Sequence, residues 1–165
     1  MGGKPLSQLV SPGKTVLLMI ENQFRAAPTD VLLPPLVKWM RSAGCEVRFI
    51  VGSGKVGPLN EDEVRVKLGD EVYEMHLPVT SNDVSKPENY TFMGITTRGI
   101  PLWVHNWVAQ ADVKITVGTT QATLWGYGGS GMVIPGTAGD ETIEMNHIMS
   151  LSPTCVPGNN EAAMQ

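Results

Sequence analysis

TVLLMI, residues Thr15 to Ile20, is a continuous apolar run that follows the turn signal Pro12-Gly13. Such a run predicts a strand that is buried on both faces of a parallel sheet. A second run, EVRFIV at Glu46–Val51, ends at Gly52, and KITVG at Lys114–Gly118 supplies a third strand. Helical segments separate the first two runs. This alternation predicts an α/β domain with a Rossmann-like sheet, mixed or parallel, flanked by helices.

The first helix is predicted between these two strands. Thr29 or Asp30 can cap its beginning, and Gly44 ends it after Ala43. Pro34-Pro35 falls inside the segment and leaves two alternatives. Either the helix begins at Pro34, where the first turn tolerates proline, or residues 31–33 form a separate turn.

The remaining segments have weaker local signals. A charged helix is predicted from Asn60 through Leu68. The polar segment Val79–Asn89 predicts an exposed connection. Apolar residues at helical spacing within Pro101–Ala111 predict an amphipathic helix that packs on the core. The tail from Ser152 onward predicts the start of a further helix.

Composition excludes several classes of protein. The 165 residues are 42% hydrophobic and 17% charged, which suits a single globular domain with a core. The net charge is -4 and the basic residues are scattered, so we expect no nucleic-acid partner. No run of about 18 apolar residues and no signal core is present, so we expect no membrane association and a cytoplasmic location. Cys45 and Cys155 are isolated, which predicts structural thiols.

The stretch Val117–His147 has four glycines within six residues, and then Ile134-Pro135-Gly136. The four glycines are Gly126, Gly128, Gly129 and Gly131. A loop without Cβ atoms allows backbone N–H groups to approach an anionic ligand and allows positive φ. We therefore predict a ligand cradle here and not a core strand. A tight bend between strand and helix is the alternative.

Three candidate site segments each follow a predicted strand. They are the segment after Ile20 that contains Arg25, the Gly52–Lys55 loop, and the glycine-rich loop from Gly126 to Gly131. The carboxyl ends of parallel strands meet at one edge of a sheet, where ligands of α/β proteins bind. The sequence therefore predicts that these segments line one cleft.

The second half of that glycine-rich stretch resembles a known family. Pro135-Gly136, Ala138-Gly139, Glu141-Thr142-Ile143 and Asn146-His147 are similar in order and spacing to the N-terminal domain of the nickel-dependent lactate racemase family. The resemblance continues upstream through Leu6 to Leu9, the first strand with Arg25, Leu33-Pro34-Pro35-Leu36, Gly69 to Tyr73, and Thr97-Arg98-Gly99-Ile100-Pro101. It covers nearly the whole chain and implies the fold of that domain. In the family a second domain follows, so the chain is expected to be a fragment or one half of a split protein.

The chain departs from the family at the positions that carry its chemistry. Gly131 stands where the family has the lysine that tethers its nickel pincer nucleotide. Gln121 and Gly54 stand where the two histidines that act as general acid and base are implied. In the Asp-x-x-Arg pair after the first strand, Asn22 replaces the acid while Arg25 remains. The catalytic residues of this chain are therefore unknown.

Arginines and a lysine are the candidate substrate-binding residues. The guanidinium of Arg25 has the planar fork that binds a carboxylate or phosphate in bidentate fashion. Lys55 takes the place of a family arginine, and a solvated lysine is the alternative. Arg98 is a third candidate, whose alternative is a turn arginine paired with a surface acid.

The three histidines are predicted to have different roles. His147 matches the axial nickel ligand of the family and is the candidate metal ligand, with a capping or packing role as the alternative. His105 and His76 are predicted to be structural, because no pair has the i, i+4 spacing of a zinc site. The resemblance also implies cofactor contacts, which would fall on Arg25, Gly128, Gly129 and Gly131.

The family's implied reaction is racemisation of a 2-hydroxy acid by transient hydride removal to the nickel pincer nucleotide. Two opposed bases are required, and histidine suits that role because its pKa lies near neutrality. Gln121 and Gly54 cannot accept the proton, so we expect no lactate racemase activity. A nickel pincer nucleotide bound here would be held noncovalently.

Two hypotheses follow. The chain is either a divergent isomerase-related domain for a 2-hydroxy acid or nucleotide-type anion, or a noncatalytic paralogue that binds a ligand or a partner subunit.

Overall fold

The structure is a computed structural model that describes residues 3–123, 126–128, 131–153 and 155–157. Its strands are β1 (Thr15–Glu21), β2 (Glu46–Gly52), β3 (Val79–Ser81), β4 (Tyr90–Ile95), β5 (Pro101–His105), β6 (Val113–Val117), β7 (Gln121–Thr123) and β8 (Gly126–Gly128). Its α-helices are α1 (Thr29–Ser42), α2 (Glu61–Leu68), α3 (Asp70–Tyr73), α4 (Asn106–Gln110) and α5 (Asp140–Met149), with 3₁₀ turns at Leu6–Gln8 and Pro87–Asn89.

A four-stranded parallel sheet in the order β3-β2-β1-β6 forms the centre of the fold. In its register Val16 pairs with Val47 on one side and with Val113 on the other. Helices flank this sheet, so the predicted α/β class is confirmed. The predicted strands at Thr15–Ile20 and Glu46–Val51 are each one residue longer than the apolar run.

Alternate residues of β1 enter two separate cores, because successive side chains of a strand point to opposite faces. Val16, Leu18 and Ile20 pack with α1, α2 and α3 in one cluster. Leu17 and Met19 pack in the other with β5, α4 and Met132. The side chains from Val16 to Ile20 are 0% exposed. Burial on both faces explains why this strand has no polar alternation.

Helix α1 contains both prolines and is continuous, so neither proline alternative is correct. Pro28 precedes its first residue, and Thr29 makes no capping bond. The Thr29 hydroxyl instead donates to the Lys67 carbonyl at 2.5 Å. Burial of Leu33, Pro34, Val37 and Met40 against the sheet stabilises the helix despite the missing N–H groups. The predicted end is confirmed, since Gly44 has a φ of +77° and lies beyond Ser42.

Helix α2 begins as predicted. The Asn60 side chain accepts from the Glu63 amide at 3.0 Å, and the Glu63 carboxylate accepts from the Asn60 amide at 2.9 Å. This reciprocal pair is a capping box. The helix ends at Gly69, where φ is +73° and an added Cβ would lie 2.9 Å from the Asp30 Cβ.

The prediction of a helix over Pro101–Ala111 is wrong for its first half. Residues 101–105 form β5, which pairs with β4 in an antiparallel hairpin, and only residues 106–110 are helical. His105 caps this short helix by accepting from the Trp107 amide at 3.2 Å. Apolar residues at helical spacing therefore do not require a continuous helix, because a strand that leads directly into a helix can bury residues at the same spacing.

Two further predictions need correction. Val79–Asn89 is not simply an exposed connection, because residues 79–81 pair with β2 and Asn82 is 0% exposed. The Gly126–Gly128 part of the predicted glycine loop is strand β8, which pairs with β7, since backbone hydrogen bonds need no side chain. Gly129 lies outside the described residues. Most of the predicted helix after Ser152 also does, and residues 155–157 are not helical.

Within the described residues, no helix combines the length and the apolar character needed to cross a membrane.

His105 generates a pH prediction. It is 4% exposed, and burial lowers its pKa from 6.5. The unfolded chain therefore takes up a proton near pH 6.5 while the folded protein resists it, so stability should fall as the pH drops below that value. Asparagine also accepts a capping bond but does not titrate. We expect urea unfolding to show a lower free energy of unfolding at pH 5.5 than at pH 7.5, and we expect His105→Asn to reduce this difference. An unchanged pH dependence in the variant would contradict this assignment.

Candidate functional site

A cleft of about 250 Å³ lies at the carboxyl ends of β1 and β2. Its walls come from four segments of the chain. They are Glu21, Asn22 and Arg25 after β1; residues 52–56 after β2; Met132, Pro135 and Gly136; and Ile143 and His147 of α5. Two of the three segments predicted to line one cleft therefore do so. Gly131, of the third, lines a neighbouring cavity of about 490 Å³ with Thr116, Gly118 and Thr120.

The β2 loop is fixed to the Pro135-Gly136 segment by backbone contacts. Gly54 has a φ of +56°, and its amide donates to the Gly136 carbonyl at 2.9 Å. The buried Asn82 amide group donates to the carbonyls of Gly54 at 3.0 Å and Ala138 at 3.1 Å. Asn82 thus holds two cleft-forming segments together. No local sequence signal identifies this role, because it depends on partners distant in the chain.

Ser53 is buried in this loop and lines the cleft. Ser53 is 2% exposed, and its Oγ has no hydrogen-bond partner among the described residues. A buried hydroxyl normally has a partner, and a ligand oxygen or an ordered water in the cleft would supply one.

Lys55 spans the mouth of the cleft. Its ammonium lies 2.6 Å from the Asp140 carboxylate and 2.7 Å from that of Glu144. The hydrogen bond to Asp140, followed by that to Glu144, raises the pKa of Lys55 above its usual value. The lysine is therefore not simply solvated, because it joins the β2 loop to helix α5.

Arg25 is exposed at the other wall of the cleft. Its amide donates to the Asn22 carbonyl at 3.2 Å, and its carbonyl accepts from the Lys67 ammonium. These bonds fix the backbone, while the guanidinium forms no ion pair with any described residue. Arg25 thus offers the bidentate fork for an incoming anion.

Glu21 is a site residue that the sequence interpretation missed. It is 1% exposed, and it lies where β1 opens into the cleft. Its carboxylate accepts from the Thr119 amide at 2.6 Å, the Thr119 hydroxyl at 3.0 Å and the Ala27 amide at 3.2 Å. An acidic residue directly after a continuous apolar run was the available signal.

The charge of Glu21 has a counterpart in Lys67. Burial lowers the pKa of Lys67, and the nearby Glu21 charge acts in the opposite direction. Only 7% of Lys67 is exposed, and its ammonium reaches the Arg25 carbonyl. The two groups therefore connect the loop after β1 with helix α2 and with the loop after β6.

His147 lies on the cleft side of α5 and is partly buried. Within the part of the chain that the structure describes, no three His, Cys, Asp or Glu side chains are arranged to hold a metal ion. A metal at His147 would therefore depend on ligands from outside these residues.

The other predicted site residues lie elsewhere. Arg98 is exposed in the β4–β5 turn and is not among the described residues that line the cleft. Gln121 begins β7, and Gly128 ends β8. The predicted substrate and cofactor roles of these residues stay predictions.

Comparison with known proteins agrees with this architecture. The family model described as the lactate racemase N-terminal domain matches residues 1–157. The chain belongs to this family. It is 25% identical over 154 residues to a lactate racemase from Lactiplantibacillus plantarum, covering 89% of this chain and 35% of the relative. It is 24% identical over 151 residues to that of Thermoanaerobacterium thermosaccharolyticum, with the same 89% and 35% coverage.

Solved structures show the same fold. The lactate racemase apoprotein from Thermoanaerobacterium thermosaccharolyticum superimposes with a TM-score of 0.89 at 22% identity, covering 98% of this chain and 40% of that one. A Thermotoga maritima protein superimposes with a TM-score of 0.78 at 21% identity, covering 95% and 42%. The chain thus spans about a third of the length of its curated lactate racemase relatives.

Glu21 generates a stability prediction. In Glu21→Gln the amide group retains one acceptor oxygen and places N–H donors against the Thr119 or Ala27 amides. We expect the free energy of unfolding in urea to fall by about 2 kcal/mol, because hydrogen bonds to a buried charge are lost. Glu46→Gln, at an exposed carboxylate that starts β2, is the matched control and should change little. Equal effects of the two changes would show that burial of Glu21 is unimportant.

Proposed function

We propose that this lactate racemase-like domain binds a small 2-hydroxy acid or a related carboxylate in the cleft, as a divergent relative without the family's proton-transfer residues. The carrying observation is the juxtaposition of the Arg25 guanidinium, the unpartnered Ser53 hydroxyl and His147 around one cavity of about 250 Å³. The proposed substrate class, a 2-hydroxy acid, comes from the names of the relatives. Both curated relatives are lactate racemases.

The charges around the cleft favour one anionic group. Lys55 forms ion pairs with Asp140 and Glu144, and the Glu21 carboxylate accepts hydrogen bonds from Thr119 and Ala27. Arg25 therefore supplies the cation that receives the ligand carboxylate, in a bidentate pair. A cavity of this size suits a ligand of a few carbon atoms more readily than a nucleotide, although a single phosphate has the same complementarity to Arg25.

Polar groups on the opposite walls would orient the rest of the ligand. A 2-hydroxy acid carries a hydroxyl that both donates and accepts, and Ser53 and the His147 imidazole have matching capacity. Binding of this hydroxyl would satisfy Ser53. In this proposal the chain's own residues bind and orient the acid. Gln121 and Gly54 have no role in proton abstraction.

A covalently attached nickel pincer nucleotide does not fit the residues present. Gly131 has a φ of +64°, and a Cβ there would lie 2.9 Å from the Pro135 Cδ and 3.0 Å from the Ile134 carbonyl oxygen. A side chain at the tether position would require this turn to rearrange. A noncovalent nickel pincer nucleotide would have His147 as its candidate metal ligand from this chain.

The test of the proposal is binding of lactate to the purified chain. We expect calorimetry to show saturable binding of lactate, with weaker binding of propionate because it has no hydroxyl. Arg25→Gln should weaken lactate binding by about 10- to 100-fold, since hydrogen bonds to a charged group are lost.

Arg98→Gln is the matched control. It removes the same charge from the β4–β5 turn, outside the cleft, and should leave lactate affinity unchanged. If both variants bind lactate as the wild type does, the carboxylate does not use Arg25. If the wild-type chain binds neither lactate nor other 2-hydroxy acids, the proposal is wrong and a partner-subunit role remains.

Catalysis gives a separate prediction. General acid/base groups are typically worth about 10² to 10⁴-fold in rate, and Gln121 and Gly54 provide none. We expect no interconversion of D- and L-lactate above background, measured by chiral chromatography, even for protein made together with the cofactor's biosynthetic enzymes. We also expect metal analysis to show the same nickel content after His147→Ala, because a single imidazole without the lysine tether is a weak anchor. Robust racemisation, or nickel that His147→Ala removes, would overturn these expectations.

A further inference from the structure

A second cavity, of about 290 Å³, lies between the β4–β5 hairpin and the start of α5. It is separate from the cleft in its lining residues. Tyr90 and Trp103 contribute aromatic side chains, Val84 and Pro87 contribute apolar ones, and Gly139, Asp140 and Glu141 complete the wall. Neither the family assignment nor the proposed function uses this cavity.

Hydrogen bonds fix both aromatic side chains. The Tyr90 hydroxyl donates to the Asn82 amide oxygen at 3.0 Å, and the Trp103 indole N–H donates to the Glu141 carboxylate at 3.0 Å. Gly139 lies between the two residues. A Cβ at Gly139 would lie 2.9 Å from the Trp103 Cβ and 3.4 Å from the Tyr90 Cδ1. The backbone thus approaches both aromatic residues closely, and a hydrogen bond positions each aromatic side chain.

The carboxylates that line this cavity are those of Asp140 and Glu141. Asp140 pairs with Lys55 at 2.6 Å, so its charge is compensated. Glu141 forms no ion pair among the described residues, and its carboxylate accepts a hydrogen bond from the neutral indole of Trp103. Burial raises the pKa of Tyr90 to about 12, which keeps its ring neutral. The cavity therefore combines neutral aromatic walls with one uncompensated carboxylate.

We propose that this cavity binds a quaternary ammonium group. Aromatic walls attract cations through the ring quadrupole, and the attraction is stronger for a cation that leaves water easily. The carboxylates of Asp140 and Glu141 already accept hydrogen bonds from Lys55 and Trp103. A trimethylammonium group needs no acceptor, so it gains from the charge of Glu141 without displacing either bond. Val84 and Pro87 provide apolar contacts for its methyl groups.

The experiment compares choline with its neutral carbon isostere, 3,3-dimethylbutan-1-ol, which has the same shape without the charge. Nuclear magnetic resonance follows the indole N–H resonance of Trp103, assigned by its loss in Trp103→Phe. We expect choline to shift this resonance saturably and to bind about 3- to 30-fold more tightly than the isostere. Equal affinities, or no saturable shift with choline, would overturn the proposal.

Glu141→Gln is the deciding variant. It retains an acceptor for the Trp103 indole and removes the charge at an exposed position, so the fold should persist. We expect choline binding to weaken by about 3- to 30-fold while binding of the isostere is unchanged. Asp62→Asn, at an exposed carboxylate of α2, is the control and should alter neither affinity. A Glu141→Gln protein that binds choline as the wild type does would refute the site. Lactate affinity should be unaffected, which separates this test from that of the cleft.

Discussion

Burial of β1 on both faces is the constraint on which the rest of the structure depends. Its five residues from Val16 to Ile20 are 0% exposed and pair with β2 and β6 on either side. This doubly buried segment must be apolar, and it must keep its register because a shift of one residue would exchange the two cores. The positions of the loops after β1, β2 and β6, which frame the cleft and the cavity beside it, follow from that register.

The strand ends at a buried charge, and this junction links the core to the cleft. Removing the Glu21 carboxylate from water is unfavourable unless hydrogen bonds and a counter-charge replace the lost hydration. Thr119, Ala27 and the nearby Lys67 provide these interactions, and they belong to three different segments. The interactions that stabilise the Glu21 charge therefore form only when these segments are assembled. The position of the Arg25 loop thus depends on the folding of the rest of the domain.

The sequence was most informative where the deciding interactions are local. The apolar runs predicted β1 and β2, and the charged segment that starts at Asn60 predicted α2. Local spacing misled at Pro101–Ala111, because a strand that leads directly into a helix can also present helical spacing. Asn82 was missed because a polar residue gives no local indication that distant backbone groups will satisfy it when buried. The position of Glu21 directly after an apolar run was a local signal, but its partners at Thr119 and Ala27 lie elsewhere in the chain.

The backbone around Gly131, the residue that the resemblance places at the tether position, forms a tight turn. The Gly136 amide donates to the Gly131 carbonyl at 2.8 Å, and a Cβ on Gly136 would lie 2.6 Å from the Met132 carbonyl oxygen. The turn from Gly131 to Gly136 is therefore closed by backbone contacts that leave no room for side chains at its ends. A non-glycine residue at Gly131 would also pay about 1 kcal/mol for its left-handed backbone. A lysine at Gly131 thus requires a different turn and not merely a different residue. Under the proposed correspondence of Gly131 with the tether position, the absence of a lysine is coupled to the local backbone conformation.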